Sequence, residues 1–262
     1  MKMEISTSFS LLLILLGLSH AVPLLDENPK DHRKLSIGSI LTTNNQSNEH
    51  PLEGDLVAPK TRNAMRCYQG DECKWRKSPN GQVMVAYTIS NEYSPSERYL
   101  IEGALRAFAS ASCVRLVPRT SEYDYINIVS ADGCYSALGR QGGRQMLSIN
   151  RQGCMANKVI LHETLHALGF QHEHTRSDRD QYVRINFANI EPSMAFNFAK
   201  SDTNNLGTTF DYGSIMQYPR QAFAINPSID TIIPIPNPYV DMGVATTFSR
   251  IDIQRLNTLY RC

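Results

Sequence analysis

Long stretches of any one character are what this chain lacks, and their absence narrows what it can be. Lysine plus arginine total 26 against 25 aspartate plus glutamate, for a formal charge of +1. No long basic or acidic run appears, so nothing in the charge favours a nucleic acid or an anionic membrane as partner. Beyond the N-terminus no apolar segment reaches bilayer-spanning length, and no internal repeat is present. Histidine is absent from most of the chain as well. Three of the seven (His20, His32 and His50) fall near the N-terminus, and the other four lie within the 13 residues from His162 to His174. What is there suffices for one sizeable unit or two lobes, since 42% of 262 residues are hydrophobic.

A domain that gathers its imidazoles in one place is most simply read as a zinc site. In His162-Glu163-Thr164-Leu165-His166 the two histidines are i and i+4, so on a helix they stack on one face and can chelate one ion. Glu163, one step round, can reach a water on that ion and act as general base. Gly169 permits a sharp or left-handed exit from the helix, which can return His172 as third ligand. Three nitrogens with an open fourth position is a catalytic arrangement, because structural zinc sites fill all four places. The bland alternative, an amphipathic helix with two surface histidines and then a polar loop, does not account for the joint match to His-Glu-x-x-His-x-x-Gly-x-x-His.

Met216, in Ser214-Ile215-Met216-Gln217-Tyr218, follows His172 by 44 residues. It offers a soft, apolar floor beneath three imidazoles. Tyr218 could donate a hydrogen bond to a tetrahedral oxyanion. Read alone, such a Met and Tyr are more often core and rim residues.

The run HETLHALGFQHEHTRSDRD, His162 to Asp180, resembles the signature of the astacin family of zinc endopeptidases, and Ser214 to Tyr218 resembles its Met-turn. The resemblance covers residues 63–262 and part of the segment before them. It implies an α+β metzincin fold of two lobes flanking a zinc cleft. The upper lobe would hold a twisted mixed sheet with two helices, and the lower an irregular chain with a C-terminal helix. It further implies His162, His166 and His172 as ligands of one Zn2+, Glu163 as base, and Tyr218 as a residue that ligates zinc at rest and moves to stabilise the transition state. Gln217 departs from the histidine of many astacins, but it lies between Met216 and Tyr218 and need not touch the metal.

The N-terminus speaks to location. Lys2, an apolar stretch from Phe9 to Leu18 and small Ala21 read as a secretory signal peptide over residues 1–21, with a signal anchor as the rival reading. Secretion is expected, with storage in secretory granules before release one form it could take. Residues 22–62 are polar, show little periodicity and read as a propeptide rather than a folded domain. Within it, Asn45-Gln46-Ser47 is a glycosylation sequon. Leu52-Glu53-Gly54-Asp55 is similar to the family's aspartate switch, in which a carboxylate takes the water position on zinc and silences the zymogen; the family usually has Phe where Leu52 stands. Without the metal site this would read as an ordinary acidic turn. Arg62 before Asn63 suits a trypsin-like activating protease, and the resemblance starts the mature 63–262 domain at Asn63. The new ammonium of Asn63 is then expected to pair with Glu173.

In an oxidising compartment the six cysteines are expected in disulfides, and sequence alone leaves 15 pairings open by simple counting. The resemblance implies Cys113–Cys262 and Cys134–Cys154, the first closing a long loop worth about 3–5 kcal/mol on the chain-entropy account. Cys67 and Cys73 remain as a local pair near the mature N-terminus, as in the six-cysteine astacins of fishes, the group that includes hatching enzymes. A redox or metal pair is the alternative there, but the spacing fits neither.

Alternation over Val83–Ile89 predicts a strand, and Ser94-Pro95-Ser96-Glu97 a capping box opening a helix with Leu100, Ala104, Leu105 and Phe108. Val114–Val117, Tyr125–Val129 and Gln145–Ile149 read as strands, the last either an edge strand for an extended substrate or an interior one. The zinc helix is expected from about Ala156 to Leu168. Ser249 to Tyr260 reads as a closing helix capped by Ser249 and Asp252, with Ile253, Leu256 and Tyr260 inward. His174, Arg176, Asp178 and Asp180 are expected to fix the lower lobe through ion pairs. No cysteine array of CUB or EGF-like type follows, so a minimal single-domain protease is expected. These readings describe a monomeric zinc endopeptidase acting on extended polypeptide, with egg-envelope protein the leading substrate. The alternatives are an astacin of another tissue with another substrate, and a non-catalytic zinc-containing binding protein.

Overall fold

A computed structural model describes residues 37–45, 53–57 and 71–262. The signal-peptide reading and Leu52, Arg62, Asn63 and Cys67 lie outside the described residues.

In chain order the elements are α1 (Ile37–Asn45), β1 (Leu56–Val57), β2 (Val83–Ile89), α2 (Pro95–Ala111), β3 (Val114–Pro118), β4 (Tyr125–Val129), β5 (Cys134–Ala137), β6 (Arg144–Ile149), α3 (Asn157–Ala167), β7 (Val183–Ile185), β8 (Ile232–Pro234) and α4 (Arg250–Tyr260). Six strands form one mixed sheet in the order β1-β5-β6-β4-β2-β3, in which the antiparallel pair is β5 with β6. The four strands expected from the sequence are all present.

β6 is interior, bonded to β4 on one side and β5 on the other. The open edge belongs to β5, whose four buried residues gave no alternating signal. That edge is covered by β1, parallel to it with Leu56 opposite Ser136 and Val57 opposite Ala137.

The α2 capping box forms as expected: Glu97 accepts from Ser94 N at 2.7 Å and Ser94 Oγ accepts from Glu97 N. The helix buries Ile101, Ala104, Leu105 and Phe108, the i, i+3, i+4, i+7 face, and Leu100 is only partly covered. This face packs with Val83, Val85, Ile126, Ile128 and Leu147 of the sheet and with Val159 and Ile160 of α3 in one core.

Residues 22–62 were read as a propeptide rather than a folded domain, and within them 37–45 form a helix. It buries Ile40, Leu41 and Asn44 against the domain. Asn44 answers the backbone of Cys134 in both directions, accepting from its N–H at 2.7 Å and donating to its C=O at 2.6 Å; it also donates to Gly54 O. One side chain thus ties the helix, the sheet edge and the turn before Asp55 together. A helix this short lacks the length for a clear periodicity, and its stability comes from docking.

The lower lobe holds the antiparallel pair β7–β8, short 3-10 turns and α4. Disulfides join Cys113 to Cys262 and Cys134 to Cys154, the pairs that the resemblance implied. Cys73 is disulfide-bonded too.

Candidate active site

Every residue of α3 from Val159 to Ala167 is buried, four of them polar. Buried polar groups need partners, and His162, Thr164 and His166 have them in a pattern that aims the helix. Thr164 donates to Ile160 O. His162 Nδ1 donates to Ile215 O at 2.8 Å and His166 Nδ1 to Phe170 O at 2.6 Å, so each ring turns Nε2 inward as an acceptor.

The helix ends where Gly169 adopts φ 102°. Gly169 N bonds His166 O and Phe170 N bonds Leu165 O, a Schellman closure. The indole of Trp75 reaches Ala167 O and the phenol of Tyr260 reaches Leu168 O, satisfying carbonyls the helix leaves free. The turn brings back His172, and Glu173 N then bonds Met216 O at 3.0 Å.

His162 Nε2 lies 3.1 Å from His166 Nε2 and 3.2 Å from His172 Nε2. Asp55 faces all three, its carboxylate oxygens 3.1 to 3.4 Å from the three Nε2 atoms. Acceptor lone pairs held this close repel one another unless a cation lies among them. A tetrahedron with ligand bonds of about 2.0–2.1 Å has edges of roughly 3.3–3.4 Å, and three nitrogens with one oxygen match the donors of a zinc site. The residues present therefore fit zinc.

Burial alone would raise the Asp55 carboxyl, but the surrounding imidazoles of His172, His166 and His162 hold it well below the usual carboxylate range. Glu163 behaves oppositely. It is fully buried, neither carboxylate oxygen has a hydrogen-bond partner among the described residues, and burial followed by the charge of Asp55 pushes its pKa well up.

Tyr218 is fully buried beside the ligands, its ring centroid 4.4 Å from that of His172 and stacked at 4.1 Å on His174. Its hydroxyl faces the turn that precedes Asp55: a Cβ added at Gly54 would lie 2.9 Å from it. Gly54 itself has φ 81°, so the close approach and the backbone both require glycine. Gln217 donates to Tyr218 O and is not among the clustered ligands. Arg176 pairs with Asp178, and Asp180 with Arg179 and Lys200, as expected for lobe-fixing ion pairs; His174 instead acts by stacking and by its contact with Asn197 O.

Residues 69–261 match the sequence profile of the Astacin peptidase family. The chain belongs to the astacin family. It is 54% identical to high choriolytic enzyme 1 of Oryzias latipes over 96% of both chains, and 50% identical to low choriolytic enzyme of the same fish over 85% of this chain and 82% of that one. An astacin-like metalloendopeptidase of Gallus gallus is 39% identical over 87% of this chain and 56% of its own length. Among solved structures, that of high choriolytic enzyme 1, a hatching enzyme zinc-protease, superposes with a TM-score of 0.74 at 58% identity, covering 76% of this chain and all of that one. This astacin is a zinc metalloendopeptidase with the α+β fold of its family.

Three site contacts in this astacin were not anticipated from the sequence. Asp252, expected only as a helix cap, also accepts from Ser214 Oγ at 2.6 Å and Ile215 N at 3.0 Å, so it sets the turn that carries Met216 and the carbonyl that orients His162. Asp252→Ala is expected to destabilise the fold by about 3 kcal/mol, because it strands a buried N–H and hydroxyl. Denaturant unfolding of the zinc-loaded protein measures this, and Asp252→Asn should recover part of the loss. Arg255, also on the inner face of α4, holds Glu173 through both guanidinium nitrogens at 2.5 and 2.8 Å. Glu53 reaches His172 Nδ1 at 2.9 Å.

Proposed function

We propose that this astacin is secreted as a zymogen, with residues 1–21 as signal peptide, 22–62 as propeptide and 63–262 as the catalytic domain. The observation that carries the zymogen reading is Asp55: a pro-segment carboxylate stands against all three ligand nitrogens in a fully buried pocket. Alongside it, β1 covers the edge of β5 on which an extended substrate would otherwise pair. Cutting after Arg62 by a trypsin-like protease lets both leave.

In the open site His162, His166 and His172 hold the metal. Zinc, when bound, polarises the scissile carbonyl and lowers the pKa of the attacking water towards about 7. Glu163, raised by burial and without a hydrogen-bond partner among the described residues, takes the water's proton and returns it to the leaving amine. Tyr218 donates its hydroxyl to the developing oxyanion, its ring held by the stack on His174. Met216 is buried in the turn set by Asp252.

The new ammonium of Asn63 would join Glu173, which is buried and borders a cleft lined by Phe170, Gln171, Arg176, Asn205 and Arg255. Glu173 already pairs with Arg255 and Arg176, so the terminus would add a third cation to an existing cluster. Asn45, exposed at the end of α1, is the proposed glycan acceptor.

The substrate class is extended extracellular polypeptide. Kinship with the choriolytic enzymes supports egg-envelope protein, and hatching, as the physiological setting, acted on by a monomer.

The test is to express residues 22–262, cleave with trypsin, and follow hydrolysis of casein and of isolated fish egg envelope with and without a zinc chelator. Chelator-sensitive activity should appear only after cleavage, with Asn63 as the new terminus, and should fall when one residue is left on or removed there. Clean cleavage with bound zinc and no hydrolysis of either substrate would overturn the proposal.

A further inference from the structure

We propose that Glu53 is a second anchor of the pro-segment, acting through the outer nitrogen of His172, and that it makes the uncleaved chain hold zinc more tightly than the cleaved one. The proposal rests on the reading of Asp55 as the zymogen switch and adds to it a separate residue with a separate target.

Each ligand histidine has one outer hydrogen-bond partner. For His162 it is Ile215 O and for His166 it is Phe170 O, both backbone carbonyls of the catalytic domain. For His172 it is a carboxylate, Glu53 Oε2 at 2.9 Å, and it belongs to the segment that activation removes. A carboxylate on the far ring nitrogen fixes the tautomer and raises the basicity of the ligating one more than a carbonyl does.

The placement is specific. Glu53 also accepts from Ser201 Oγ at 3.2 Å and Thr175 Oγ1 at 3.4 Å, and its side chain is only 14% exposed. Its backbone is left-handed, φ 52°, a conformation that a residue with a β-carbon adopts at a cost. Gly54 follows at φ 81°. Two successive left-handed residues turn the chain so that carboxylates two positions apart grip the same imidazole from opposite sides, Glu53 at Nδ1 and Asp55 at Nε2. If the only need were to deliver Asp55, glycine at position 53 would make the turn without strain. The carboxylate explains why glutamate stands there.

Outer partners of metal ligands typically carry 10–100-fold in metal affinity. Zinc release to a chelator should therefore be at least tenfold faster from Glu53→Ala than from the wild-type uncleaved chain, each confirmed intact by mass. Glu53→Gln, whose amide oxygen can still accept from Nδ1, should fall between them. Glu53→Gly separates the roles. It relieves the backbone and removes the carboxylate, so it should release zinc as fast as Glu53→Ala. A Glu53→Gly chain that holds zinc as well as wild type overturns the proposal.

The cobalt(II)-substituted uncleaved chain gives a readout independent of turnover. Its visible spectrum should shift in the Glu53 variants while the Asp55 ligand remains. If Glu53→Ala does not fold, Ser201→Ala, which loosens the carboxylate from outside, should move the same spectrum in the same direction, and an unmoved spectrum there counts against the proposal. Asp55→Ala runs in parallel. If it alters spectrum and latency while the Glu53 variants do not, the second anchor alone fails. If Asp55→Ala changes neither, the switch reading fails with it. After cleavage all Glu53 variants are the same molecule and must release zinc at one common rate, faster than the uncleaved wild type.

Discussion

Glu163→Gln is expected to leave zinc bound and the fold intact while lowering kcat/KM by at least about a thousandfold. General acid–base groups contribute roughly 10²–10⁴-fold, and in the proposed mechanism Glu163 serves in both directions of proton transfer. The amide has nearly the shape of the carboxylate, so packing within α3 is preserved. The three ligand nitrogens are held by contacts that do not include position 163, namely Ile215 O, Phe170 O and, before cleavage, Glu53. Metal content by elemental analysis should therefore stay at one zinc per chain while hydrolysis of casein by the cleaved protein disappears. Loss of zinc together with activity would make Glu163 a structural residue of the helix instead. Substantial proteolysis with zinc retained would remove it from the role of base.

The environment of Glu163 also sets the pH dependence. Burial is the first cause of its raised pKa, and Asp55 the second. On the proposed activation Asp55 leaves, and with burial as the remaining cause the acid limb of kcat/KM should lie above the usual carboxylate range. Below that limb the base is protonated and the rate falls.

What could be read from the sequence, and what could not, divides along a physical line. The three clustered imidazoles, the exit glycine and the capping boxes are local devices: their spacing in the chain is their spacing in space. His162 and His166 meet because one helical turn separates them, and Ser94 meets Glu97 for the same reason. The strands with alternating faces were equally legible. β5 was not, since a strand buried on both faces has no alternation to show. On α4 the apolar spacing pointed to Ile253, whereas the buried face carries Asp252 and Arg255. Charged residues read as a solvated face until their partners are known, and those partners, Ser214 and Glu173, lie 38 and 82 positions away. Glu53 was hidden for the same reason, with its histidine 119 positions distant. The chemistry of the centre is therefore written locally, while its support comes from long-range polar contacts that no local pattern announces.

Asp55→Ala separates the two ways in which the pro-segment can silence the enzyme. On the proposed zymogen reading the carboxylate blocks chemistry by standing against the ligand nitrogens, while β1 blocks substrate by occupying the edge of β5. Removing the carboxylate leaves a fully buried pocket facing three imidazoles and loosens the turn that Asn44 and Glu53 still hold. A charge-assisted contact of this kind is worth roughly 1.5–3 kcal/mol, and every 1.4 kcal/mol is tenfold in a population. The uncleaved Asp55→Ala chain is thus expected to hydrolyse casein on the order of a hundredfold faster than uncleaved wild type. It should still fall short of the cleaved enzyme, because α1 keeps Ile40 and Leu41 buried and the strand tethered. Asp55→Asn, whose amide oxygen remains a weak donor to the centre, should lie between the two. The measurement is casein hydrolysis by each variant with the chain shown intact by mass before and after the assay. If uncleaved Asp55→Ala is as silent as wild type yet reaches full activity on cleavage, the strand laid along β5 is the true block, and the carboxylate serves only to place it.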